Sequence, residues 1–360
     1  MRLDWRGALG LGLSALLLWW TLRGAPLAEV WAVLSHSNLL LFAAATAVGT
    51  AIFPIRARKW RTILAPVVEG IPFGPLWRAT AIGMMVNNVV PARAGEFARA
   101  YALTREVPRV SFPASLASLA VDRVFDAIVL LLLMFGALLD PAFPSEVTIA
   151  GQSVPTLARG GVAAVVVLLA GLYSFVAFPV FYETVFRWMA RRAAPRIEER
   201  GAAMLRAFAE GLGVLRHPAR FAAVFGWTLV HWLVHALALW LGFKAVGIQA
   251  PYSAALFLQG LLGIAVAIPS SPGFFGVFEG AAKVGLAVYG VGSTLAVSWA
   301  LGYHLLTFIP ITVIGAIYFA KLGIKLRDVS AASGSSTDGP PAGDPPRDEP
   351  PAGHLARRPA

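Results

Sequence analysis

Two stretches of this chain interrupt apolar runs in the same manner, and together they restrict its possible folds more than any other feature. The first reads Asn87-Asn88-Val-Val-Pro91-Ala-Arg93-Ala-Gly95-Glu96-Phe-Ala-Arg99 and follows the run Leu76 to Val86. The second reads Ile268-Pro269-Ser-Ser-Pro272-Gly273-Phe-Phe-Gly276-Val-Phe-Glu279 and follows another apolar run. Proline removes a backbone donor and glycine loosens the chain, so each stretch predicts a helix that breaks. Pro91, Gly95, Pro269, Pro272, Gly273 and Gly276 are read as backbone-shaping residues. In lipid, broken backbone survives only inside protein or beside a wet cavity. Paired interruptions in two halves of a chain point to a transporter-type site.

The surroundings are lipid. Of 360 residues, 58% are hydrophobic and only 14% are charged, against about 25% charged in soluble domains. The chain reads as all-α and polytopic. It has no cysteine, which excludes disulfides, thiolate metal sites and cysteine nucleophiles. A net charge of +11 raises the question of nucleic acid. The basic residues, however, sit in short loops between apolar runs, which is the positive-inside pattern and suits anionic headgroups. No nucleic-acid partner is expected.

Taken in order, the spans expected are Gly7–Leu22, Asn38–Pro54, Ser111–Leu139, Gly160–Phe181, Phe221–Phe243 and Ser293–Ala320. The basic cluster Arg56, Arg58, Lys59 and Arg61 follows the second as a loop. Leu76–Val90 is short for a span, which needs roughly 20 residues. With amphipathic Gly95–Thr104 it reads as a hairpin dipping back to the basic side. The segment 187–220 is rich in arginine with apolar residues at helical spacing, as in a helix lying on the membrane surface. Ser253–Ile268 and Gly273–Tyr289 form the second hairpin. Arg23, Arg159 and Lys244 are the few cations of the opposite loops. That asymmetry predicts about six full spans plus two oppositely oriented re-entrant hairpins, an inverted-repeat plan with both termini in the cytoplasm. Residues 1–327 form the membrane domain. Residues 328–360, rich in Pro, Gly and Ser, are expected to be a disordered cytoplasmic tail.

Three motifs in order carry a resemblance: Asn87-Asn88-x-x-Pro91-x-Arg93-x-Gly95-Glu96-x-x-Arg99, then Asp122-Arg123-x-x-Asp126, then Pro272-Gly273-x-x-Gly276-x-x-Glu279. They resemble the flippase-like membrane family that includes the transmembrane region of lysylphosphatidylglycerol synthases and its stand-alone relatives. The resemblance implies lipid translocation. Full-length synthases add a cytosolic aminoacyl-transferase domain after the membrane part. Here a short tail follows, so the expectation is translocation without aminoacylation.

The candidate substrate-binding residues are Asn87, Asn88, Arg93, Glu96, Arg99, Asp122, Arg123, Asp126 and Glu279. Arg93, Glu96 and Arg99 are spaced by three and share a helix face. Guanidiniums suit phosphate because their planar fork makes paired hydrogen bonds. The carboxylate between them suits a cationic amine. The plainer reading makes Glu96 a helix cap and the arginines positive-inside anchors. Asp122, Arg123 and Asp126 lie inside an apolar run, where each charge costs about 2.5–3.5 kcal/mol if it stands alone. They are expected to be partnered, as a site or as a structural ion pair. Glu279 is read either as the acid of the helix start, paired with Lys283 one turn on, or as a group facing the cavity opposite Glu96. His231 and His235 are four apart, a spacing that can bind metal, but no HExxH pattern accompanies them, so they read as interhelical or interfacial histidines and no metal is expected. No nucleotide-binding loop is present, and no cofactor is expected.

The function these features favour is movement of a phospholipid or isoprenoid-linked headgroup between leaflets of the cytoplasmic membrane. The partners are then anionic or aminoacylated phospholipid, or an isoprenoid-linked lipid. Two other classes stand beside it. One is a membrane enzyme on lipid-linked substrates using Glu96 or Asp122 as base, although no nucleophile triad or metal set is evident. The other is a non-catalytic assembly or regulatory protein.

Overall fold

The computed structural model describes residues 12, 16–23, 26–90, 94–144, 148–149, 151–193, 197–211, 217–267 and 271–324. Helix is present at 16–22, so the first expected span is described only in part. Then come α1 (Leu27–Ser35), α2 (Leu39–Leu64), α3 (Phe73–Val89), α4 (Gly95–Glu106) and α5 (Phe112–Ala137). A two-residue antiparallel ladder, Thr148–Ile149 against Gln152–Ser153, precedes α6 (Val154–Ala177). The chain continues through α7 (Pro179–Ala193), α8 (Glu198–Gly211), α9 (Pro218–Ala245), α10 (Tyr252–Val266), a 3-10 turn (Pro272–Phe274), α11 (Val277–Ala287) and α12 (Ser293–Lys321). The basic segment 187–220 is thus not one surface helix. It falls across α7, α8 and the start of α9, with Arg187 of α7 bonded to Glu183 of its own helix at 3.0 Å and joined to α8 through Glu199 at 2.6 Å.

Helices α2, α9 and α12 are long and apolar enough to cross a membrane. At about 1.5 Å per residue, the 26 residues of α2 reach roughly 39 Å, more than the roughly 30 Å of hydrocarbon. Exposed Leu305, Ile309, Val313 and Ile317 recur every fourth residue along α12. A stripe of that kind is a lipid-facing surface and would be a liability in water. Helix α5 has the same length as α2 but carries Asp122, Arg123 and Asp126 midway.

One expected boundary is wrong in an instructive way. The second span was expected to stop at Pro54. Instead Pro54 lies inside α2, which runs on to Leu64. A proline forfeits one helical hydrogen bond, and packed neighbours in a membrane bundle make that tolerable. Arg56 and Lys59 therefore stand on a helix and not in a loop, and both are buried.

The packing repeats between halves. Each half is a long helix, a hairpin and a second long helix: α2, α3–α4, α5, and then α9, α10–α11, α12. The first long helices pack on each other, and each hairpin's leading helix packs on the closing long helix of the other half. Helices α2 and α9 run antiparallel, since the Asn38 N–H at the start of α2 donates to the Ala245 carbonyl at the end of α9 at 2.8 Å. Helix α3 meets α12 through Asn88 and Thr312 at 2.7 Å and through Trp77 and Tyr318 at 3.3 Å. Correspondingly, Gly260 and Gly263 of α10 pack on Met134 and Leu130 of α5.

Candidate functional site

The first hairpin closes on glycine. A β-carbon at Gly95 would lie 2.1 Å from the Gly83 carbonyl oxygen and 2.4 Å from the Asn87 amide carbon, so no larger residue fits without moving backbone. Asn87 Oδ1 accepts the Gly95 N–H at 2.8 Å, tying the end of α3 to the start of α4. Asn88 turns to the other half and donates from Nδ2 to Thr312 Oγ1 at 2.7 Å. Pro91 and Arg93 lie outside the described residues, as does Pro269.

Behind the break lies a charge cluster drawn from three helices. Lys59 Nζ of α2 sits 2.6 Å from Asp122 Oδ1 and 2.6 Å from Asp126 Oδ1, and all three side chains are buried. Arg99 Nη1 reaches Asp122 Oδ2 at 3.3 Å while its guanidinium lies 4.1 Å above the Trp60 ring. Arg56 Nη2 approaches the same Asp122 oxygen at 3.9 Å. Arg123 pairs with Glu96 through Nη2 and with Asp126 Oδ2 through Nη1 at 3.5 Å. Trp232 Nε1 of α9 donates to Asp126 Oδ1 at 3.0 Å, and His231 Nδ1 stands 3.9 Å from that oxygen. Desolvating any one of these ions would cost several kcal/mol. Packed together they offset one another, and the four cations exceed the three carboxylates by one charge.

The second hairpin breaks by backbone conformation. Gly273, Phe274 and Gly276 all have positive φ, at 67°, 62° and 85°, a region only glycine enters freely. Glu279 sits in the first turn of α11, where its Oε2 accepts the Gly276 N–H at 2.6 Å. Its Oε1 lies 2.7 Å from His304 Nδ1. Lys283 is not its partner. That ammonium turns to the Thr21 carbonyl at 3.1 Å and lies over Trp20. His235 bonds Gln259 Oε1 at 3.2 Å, and among the described residues no group of His, Asp and Glu could hold a metal.

Between the hairpins lies a cavity of about 230 Å³. Arg56, Asn88, Arg123 and Asp126 form its wall from the first half, and Gly273, Phe274, Phe278 and His304 from the second. His231, Trp232 and His235 of α9 complete it. Of the residues singled out from sequence, Glu96, Arg99, Asp122, Arg123 and Asp126 come together in one network, and Asn88 lines the same cavity as Arg123 and Asp126. Arg99 is only 2% exposed and is taken up by Asp122 and Trp60, whereas the guanidiniums on the cavity wall are Arg56 and Arg123. Glu279 is fully buried and, among the described residues, is tied to the cavity wall by its contact with His304. Sequence reading missed Arg56, Lys59, Trp232 and His304. For Arg56 and Lys59 a signal was present: they continue the helical spacing of Ile52, Phe53, Ile63 and Leu64, all buried.

Fold and site together define a multi-pass α-helical membrane protein built around two broken hairpins and a shared ionised cavity. Residues 7–315 match the family described as the lysylphosphatidylglycerol synthase TM region, and the chain belongs to that family. It is 27% identical over 282 residues to a UPF0104 membrane protein of Methanothermobacter thermautotrophicus, a match covering 73% of this chain and 79% of that one. It is also 39% identical over 100 residues to the glycosyltransferase AglD of Haloferax volcanii, covering 27% of this chain and only 16% of that protein's length. No solved structure matches.

Proposed function

We propose that this protein moves an anionic lipid headgroup, of a phospholipid or an isoprenoid-linked lipid, between leaflets of the cytoplasmic membrane. One observation carries this reading: a largely apolar cavity with Arg56, Arg123 and Asp126 on its wall, set against a first-half cluster with one excess positive charge, inside a bundle whose outer faces are apolar. A headgroup phosphate satisfies that excess. Arg56 and Arg123 both line the cavity, and a hydrogen bond from guanidinium to phosphate is worth more in a desolvated site than in water. The acyl chains stay in the bilayer. The antiparallel pairing of α2 with α9 supports an inverted-repeat topology, in which the hairpin α3–α4 enters from the cytoplasm and α10–α11 from outside, with both termini cytoplasmic.

The test uses purified protein in vesicles of phosphatidylethanolamine and phosphatidylglycerol with a tail-labelled fluorescent phosphatidylglycerol. Transport redistributes the label between leaflets and leaves its mass unchanged, and Arg123→Gln slows it at least tenfold. Wild-type vesicles with no redistribution would reject the proposal. A second reading, a membrane enzyme on lipid-linked substrates, draws on the partial match to a glycosyltransferase and requires a change in lipid mass.

A further inference from the structure

The two halves hold the same acid–base construction with one exchange. In the first, Glu96 in the opening turn of α4 pairs with Arg123, the twelfth residue of α5. In the second, Glu279 in the opening turn of α11 pairs with His304, the twelfth residue of α12. Both basic partners line the cavity. Arginine keeps its charge at every physiological pH, whereas histidine gains and loses one there.

The surroundings of Glu279 make that difference count. The carboxylate is 0% exposed. Its oxygens meet the Gly276 N–H at 2.6 Å and His304 Nδ1 at 2.7 Å. Among the described residues no Lys or Arg forms an ion pair with it, so imidazole is its one ionisable partner. A carboxylate at Nδ1 fixes the tautomer: Nδ1–H donates and Nε2 is left as the basic nitrogen. The rings of Phe275 and Phe278, at 4.6 and 4.4 Å, hold the imidazole in place. Nδ1 thus faces the buried acid, while the residue itself lines the cavity.

We infer that the Glu279–His304 pair is a proton-binding site that sets the charge of the cavity. A hydronium ion in the cavity gives its proton to Nε2: its O–H bond breaks, an N–H bond forms, neutral water is left, and the pair goes from −1 to neutral. Release to water reverses the step. The first-half cluster contributes its excess of one positive charge throughout. The cavity is therefore +1 with His304 protonated and neutral without. Given the transport reading, an anionic headgroup and a proton enter together, and loss of the proton weakens the hold on the headgroup. The other ionisable groups around the cavity are Arg56 of α2, Arg123 and Asp126 of α5, His231 and His235 of α9, and Tyr303 beside His304. Lys283 follows on α11, committed to Thr21.

Two measurements test this. The full chain is labelled with 15N-imidazole and placed in nanodiscs of phosphatidylglycerol and phosphatidylethanolamine, and the His304 signal is assigned by its loss in His304→Gln. The His304 ring gains a proton as the sample is acidified, and Glu279→Gln, which keeps an acceptor for Gly276, makes that proton uptake about tenfold weaker. A His304 that stays neutral, or an unchanged midpoint in Glu279→Gln, overturns the site. In vesicles with labelled phosphatidylglycerol, movement rises as pH falls through the His304 midpoint, and His304→Arg has a flat pH profile whatever its rate. A wild-type profile in His304→Arg overturns the coupling. If the wild type moves no lipid at any pH, it is the transport reading that fails, and the titration alone decides the proton site.

Discussion

Lys59 offers the sharpest check on the charge cluster. Its ammonium is shared by Asp122 and Asp126, each at 2.6 Å, in a site where all three groups are buried. Lys59→Met keeps the length and apolar stem of the side chain and removes only the charge. Removing one partner of a buried ion pair costs about 3–5 kcal/mol, because a charge is left stranded. The figure is not doubled for two carboxylates, since Asp122 keeps Arg99 at 3.3 Å and Asp126 keeps Trp232 at 3.0 Å. The unfolding constant should then rise by roughly a hundred- to several-thousand-fold. The assay is equilibrium unfolding in mixed micelles, with Arg58→Met as control. Arg58 lies one residue away but is exposed, and its loss should stay within about 1 kcal/mol. Adding Asp126→Asn to Lys59→Met should recover part of the loss by removing one stranded charge. If Lys59→Met is no less stable than Arg58→Met, the cluster does not hold the helices together as argued.

Gly95→Ala drives a methyl into the Gly83 carbonyl, 2.1 Å from its β-carbon, and should destabilise by about 1–3 kcal/mol or more in the same unfolding assay. Gly276→Ala places an alanine at a φ of 85° and should cost about 1–2 kcal/mol. For topology, the chain's lack of cysteine makes single-thiol labelling clean. In intact cells an impermeant maleimide should label Gln249→Cys, between α9 and α10, and spare Glu69→Cys, between α2 and α3. Labelling of both from one side would refute the opposed hairpins.

Much of this was legible before any coordinates, for physical reasons that differ by residue. Pro and Gly announce backbone breaks directly, which is why both hairpins could be placed. Asp122, Arg123 and Asp126 stood out because charge inside an apolar run demands partners. What sequence did not disclose was the partner. Lys59 is 67 residues from Asp126, and Pro54 led the span to be cut short just before it. His304 was silent for a similar reason: one histidine in an apolar run looks unremarkable until Glu279, 25 residues earlier, is found against it. Arg99 was recognised as important, yet only the fold shows its guanidinium turned to Asp122 and laid over Trp60, leaving the cavity wall to Arg56.

The antiparallel contact between Asn38 and Ala245 carries a mechanical consequence. Two related units that run head to tail against each other can trade conformations, and a molecule that does so opens toward the opposite compartment with nearly the same contacts. Were the units identical, the two openings would be degenerate in energy and a solute would simply equilibrate. If the protein transports as proposed, the guanidinium of one unit and the imidazole at the matching place in the other would let the acidity of each compartment tilt the exchange and give it a direction.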